Sequence, residues 1–139
     1  MPATPWYEQY RTGIASIDHM HEEIYTLVNA LYDDVLAKAP IVTSRPKIAK
    51  LTQLSLTHFD EEEADMKRTG YPDTATHSAA HQVFRDQLAG IQAQLKEGKQ
   101  VTGDTLEIVR NYLTQHAKIH DMKLAKHLAA SQGAKTAKG

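Results

Sequence analysis

The chain has 139 residues, 24% of them charged, with a net charge of −1, and no cysteine. This is one domain's worth of chain. The near-balanced charge lacks the basic stripe that nucleic acid requires, and without thiols neither disulfides nor thiolate metal sites can form. No apolar run approaches a membrane span and the N-terminus lacks the apolar stretch of a secretory signal, so the expectation is a cytoplasmic monomer with no membrane or nucleic-acid partner. Eight histidines stand out: His19, His21, His58, His77, His81, His116, His120 and His127.

Residues 1–13, with Pro2, Pro5, Trp6, Tyr7 and Tyr10, predict an extended arm that packs through its aromatics. From Ile17 the apolar positions run Ile17, His21, Ile24, Val28, Leu31 and Val35, alternating steps of four and three, which marks a helix with one buried seam. "KAPIVTSRP" (38–46) breaks the pattern, with Thr43 or Ser44 as the expected cap and Pro46 as a first-turn residue. Ile48, Leu51, Ser55, His58 and Glu62 then mark a second helix, and "RTGYPDT" (68–74) a turn. The third seam reads His77, His81, Phe84, Leu88, Ile91 and Leu95. "KEGKQVTG" (96–103) ends it, and Leu106, Val109, Leu113, His116 and Leu124 mark a fourth helix. No stretch shows strand alternation. The prediction is an all-α, up-down-up-down antiparallel four-helix bundle occupying 1–131, with a disordered tail at 132–139.

Each helix places a histidine where an apolar residue belongs. A single seam histidine is most often a hydrogen-bonded core residue. Five of them (His21, His58, His77, His81, His116) repeat the cost of burying an imidazole, and a metal centre inside the bundle is the shared compensation. His77 and His81 are four residues apart, about 40° around the helix, so both rings can reach one ion. His58 and Glu62 have the same spacing. Imidazole and carboxylate without thiolate suit iron, manganese or zinc.

Four segments resemble the hemerythrin family, in particular its bacterial single-domain members: "GIASIDHMH" (13–21), "HFDEEEADM" (58–66), "YPDTATHSAAHQVF" (71–84) and "YLTQHAKIHD" (112–121). The resemblance covers residues 6 to about 125. It implies that His77, His81 and His116 bind one iron, that His21 and His58 bind the other, and that Glu62 and Asp121 bridge the two together with an oxo or hydroxo group. Two six-coordinate irons offer twelve positions. Five histidines, two bridging carboxylates and one shared oxygen atom fill all but one, on the iron held by His21 and His58. In the family that position takes dioxygen, which is released intact as the irons return from ferric to ferrous. The implied function is oxygen transport, storage or delivery. The alternatives are an oxygen or redox sensor, or a di-iron enzyme acting on peroxide or nitric oxide. The chain carries no Glu-x-x-His motif of the oxygen-activating bundles, which favours binding over catalysis, with at most a side peroxidase-like activity.

Spacing alone would choose His120 over Asp121 as the partner of His116. Asp121, five residues on, should point about 140° away on an α-helix, and the family pattern alone selects it. Glu63, like Asp60 and Glu61, is expected to be solvated unless it orients a ligand imidazole. Tyr25, Tyr32 and Tyr112 are expected in core or boundary packing, and His19 and His127 on solvated faces. Two positions depart from the family. Met20 replaces a common glutamine, and Ala117 replaces a bulky aliphatic; with that side chain facing the open iron position, the smaller alanine would widen the pocket.

Overall fold

The computed structural model describes residues 12–138, with side chains to Ser131 apart from that of Ser16, so most of the expected N-terminal arm lies outside the described residues. Four helical rods make up the described chain. Helix α1 spans Ala15–Leu36, α2 Ile41–Thr69 and α3 Thr74–Lys96. The fourth rod is composite: α4 at Gly103–His116, a π-helical segment at Ala117–Asp121 and α5 at Met122–Lys138. Short connections join the rods. α1 packs on α2, α2 on α3, α3 on α4, and α4 back on α1, which closes the expected antiparallel ring.

The turns follow local chemistry. Gly70 ends α2 in the left-handed region (φ 67°), where a glycine carries no Cβ penalty, and the Tyr71 N–H reaches back to the Met66 carbonyl at 2.9 Å. Thr102 caps α4 by accepting from the Thr105 N–H at 3.2 Å. The start of α2 corrects the sequence reading. Its N-cap is Pro40, and neither Thr43 nor Ser44 caps it. Ser44 is buried instead and donates to the Asp34 carboxylate at 3.0 Å, which also holds Lys47 Nζ at 2.8 Å. The pull of this partner on α1 outweighs the cap preference. Pro46 therefore sits inside the helix, and the carbonyl it leaves without a donor belongs to exposed Val42, where water can serve it.

The segment expected as a disordered tail differs too, since α5 continues through Lys138. Ala134, Lys135, Ala137 and Lys138 are all good helix formers, and Gly133 alone does not interrupt them.

The interior is divided. A large apolar cluster, including Val28, Leu31, Ile48, Leu51, Phe84, Leu88, Leu106 and Val109, fills one part of the bundle. A small one, made of Ile17, Met66, Tyr71, Leu124 and Leu128, forms separately. Along the helices, the buried His21, Glu62, His77, His81, His116 and Asp121 fall at sequence positions between the two clusters, and His58 directly precedes Phe59, the last residue of the large cluster on α2. Among the described residues no helix is long and apolar enough to cross a membrane.

Candidate metal centre

All seven residues singled out from the sequence lie at or below 5% exposure, and their side chains converge in two overlapping groups. Glu62, His77, His81, His116 and Asp121 form one, and His21, His58, Glu62 and Asp121 the other. Within each group one donor atom per residue lies within 4.8 Å of all the rest. Both groups contain the same two carboxylates.

The π segment explains how Asp121 joins. The Met122 N–H bonds to the Ala117 carbonyl, five residues back. This wider turn brings residues five apart onto one face, and Asp121 Oδ1 comes to 3.1 Å from His116 Nε2. The α-helical angle used on the sequence does not hold over this turn. His120 is pushed to the rim, half-buried, with its ring 5.2 Å from that of His116 and 5.4 Å from that of His77. It borders a shallow hollow of about 100 Å³ shared with Ala80, Tyr112, Gln115, His116 and Ile119.

The donor atoms face one another at close range. His77 Nε2 lies 3.1 Å from Glu62 Oε1, 3.1 Å from Asp121 Oδ1 and 3.2 Å from His116 Nε2. His81 Nε2 is 2.9 Å from Glu62 Oε1, His58 Nε2 is 3.1 Å from Glu62 Oε2, and His21 Nε2 is 2.8 Å from Asp121 Oδ2. Several of these approaches are not hydrogen bonds: His58 Nε2, Glu62 Oε2 and both Asp121 oxygens are buried without a hydrogen-bond partner. Leaving such atoms unsatisfied costs about 1–3 kcal/mol each. A cation removes that cost. Imidazole and carboxylate donors sit about 2.0–2.2 Å from a first-row ion such as zinc, so neighbouring donors on an octahedral ion lie about 3 Å apart, as these do. The residues fit a pair of metal ions.

Electrostatics agree. Burial pushes the Asp121 carboxyl up, but the His116, His21 and His77 imidazoles outweigh it and hold the group well below the usual carboxylate range. Burial and Asp121 raise Glu62, and His58 and His77 more than offset them, so it too stays ionised. His77 resists burial through Asp121 and Glu62 and is raised to about 9. His120 is lowered by burial and by the neighbouring His116 and His77. Without metal, then, the centre balances its charge with protons.

Around the donors lies a supporting layer. His81 Nδ1 meets Glu63 Oε2 at 2.7 Å, so Glu63 is the one acid of its block turned to orienting an imidazole. Tyr112 Oη donates to the Ala80 carbonyl and lies 3.4 Å from His116 Nδ1, while its ring stacks on Phe84 at 4.7 Å. Tyr25 and Tyr32 pack in the core, and the Tyr25 hydroxyl bonds Thr114 Oγ1 at 2.9 Å. Met20 packs against the large apolar cluster. His19 pairs with Glu23 on the surface, as expected. His127 does not lie free on a solvated face: its Nε2 is 2.9 Å from Thr69 Oγ1 and its ring abuts Tyr71, fastening α5 to the end of α2. Arg85, which clamps Glu63 at 2.9 Å, was missed from the sequence. Its signal was there, a cation one helical turn after His81.

The match to known proteins covers this same region. Residues 12–128 match the hemerythrin HHE cation-binding domain. The chain belongs to the hemerythrin family. Among relatives, bacteriohemerythrin of Methylococcus capsulatus is 30% identical, covering 78% of this chain and 82% of its own. Myohemerythrin-1 of Phascolopsis gouldii is 28% identical, covering 85% and 88%. The crystal structure of a wild-type hemerythrin superposes with a TM-score of 0.85 at 27% identity, over 91% of this chain and 98% of that one. In this chain the His/Glu/Asp cluster falls wholly within the matched residues.

Proposed function

We propose that this chain holds two iron ions and binds dioxygen reversibly, as a carrier, store or delivery protein rather than an enzyme. The observation that carries the reading is the pair of buried donor groups with Glu62 and Asp121 in common. His77, His81 and His116 would be the nitrogen donors to one ion and His21 and His58 to the other, with Glu62 and Asp121 available to both. The iron pair supplies reversible redox change and, with one imidazole fewer in the second group, a coordination position for a small ligand.

The chain's own residues do the rest. Five neutral imidazoles and only two carboxylates give the centre little anionic charge, which favours holding a ligand over driving oxidations that need high-valent metal. The apolar clusters flanking the donor positions keep bulk water away, so a bound ligand is not readily displaced or protonated. Tyr112 and Glu63 fix the imidazole planes of His116 and His81.

Metal analysis with absorption spectra of the reduced, aerated and re-evacuated protein tests this. Two irons per chain and a band that comes and goes with oxygen pressure are expected. Fewer irons, or a band that does not reverse, would overturn it. Sustained turnover of peroxide with a reductant would move the protein to the enzyme class.

A further inference from the structure

Of the three imidazoles in the larger donor group, His81 is the one with a carboxylate on its far nitrogen. His77 Nδ1 is buried without a hydrogen-bond partner, and His116 Nδ1 faces the neutral Tyr112 hydroxyl at 3.4 Å. His81 Nδ1 lies 2.7 Å from Glu63 Oε2. Three further contacts close a ring around this bond. Arg85 donates to the same Glu63 oxygen at 2.9 Å. Its guanidinium carbon lies 5.4 Å from the centre of the Phe59 ring, and Phe59 stacks on His81 at 4.1 Å and 19°. The imidazole can neither rotate nor tilt without breaking one of them. His81 is fully buried, whereas Glu63 and Arg85 are 29% and 23% exposed, so the bond sits at the boundary of the core, where screening by water is partial.

We propose that Glu63 and Arg85 are opposed positioning residues that set the redox poise of the centre: Glu63 strengthens His81 as a metal donor through Nδ1, and Arg85 limits that strengthening. This rests on the di-iron reading above. An anion accepting the Nδ1–H makes the imidazole more basic at Nε2, and a more basic donor stabilises the ferric state. Arg85 draws charge from the same oxygen that His81 uses. The two variants should therefore act in opposite directions, which loss of mere structural support would not produce. Glu63→Gln keeps a carbonyl acceptor at Nδ1 and removes only the charge. Arg85→Gln removes the counter-cation and leaves the carboxylate.

The test measures the midpoint potential of the iron-loaded full chain by spectroelectrochemistry, and the Co(II) affinity of the metal-free chain by titration. Glu63→Gln should move the potential to more positive values and weaken Co(II) binding by about 10–100-fold. Arg85→Gln should move the potential to more negative values with Co(II) binding no weaker than in the parent chain. Arg85→Lys, which keeps the charge, should leave both readings in place. Displacement of Glu63→Gln and Arg85→Gln in the same sense, or of neither, overturns the proposal. Should Glu63→Gln fail to fold, the contrast between Arg85→Gln and Arg85→Lys decides alone. A parent chain that does not hold two irons overturns the di-iron reading. A parent that holds them beside unmoved variants overturns only this inference.

Discussion

At the residue scale, buried Asp121 concentrates the cost and the use of the centre. It is fully buried, holds its negative charge, and has both oxygens without hydrogen bonds. Asp121→Asn should therefore lower iron content and the melting temperature of the loaded protein, and lower that of the stripped protein at pH 7 as well, because it leaves the protonated His77 without one of its buried counter-charges. Calorimetry of both forms checks it. His77 gives a pH signature. Metal-free, its imidazole stays protonated up to about 9, and a cation must displace that proton. Metal uptake at pH 7 should thus release protons, and apparent affinity should rise with pH until about 9 and then level off; titration in weak buffer with a pH indicator measures it. Ala117 is buried beside His116. Ala117→Ile narrows the space next to the centre and should lengthen the life of the oxygenated form; an unchanged autoxidation rate would count against a pocket there.

At the scale of elements, the π segment decides what could be seen in the sequence. The seams of α1, α2 and α3 keep steps of three and four, and each turned its candidate residues inward: His21, His58, Glu62, His77 and His81 are all buried where periodicity put them. His116 followed the same rule. Asp121 did not, because a five-residue turn leaves no pattern that α-helical spacing can detect, and only the resemblance to a family supplied it. Ser44 illustrates a second limit. Its cap preference is local, whereas its bond to Asp34 is tertiary and invisible from neighbours in sequence. Arg85 shows a third, since an ion pair across two helices depends on their rotation about their axes. The π turn also makes a prediction. Ile119 is 57% exposed within it. Deleting Ile119 leaves Asp121 four positions after His116, where an ordinary α-helix already aligns the two. The shortened chain should keep two irons and melt at a higher temperature, whereas exchanging the residues at 120 and 121 should lose the metal.

At the scale of the whole molecule, the proposed ions would make one cooperative unit of the four rods. Stripping iron leaves unsatisfied polar atoms in the middle of the bundle, and chelation should lower the melting temperature by well over 10 °C if the several kcal/mol at stake translate at roughly 2–4 °C or more per kcal/mol. The interior is also lopsided: one apolar cluster is built from sixteen buried residues and the other from five. With the centre emptied, those five side chains would close their part of the bundle almost unaided. Amide hydrogens around Ile17, Tyr71 and Leu124 should then exchange with deuterium long before those around Val28, Leu88 and Leu106. A breathing door of that kind, latched by the cations themselves, would give newly arriving iron its way in and hold it once seated.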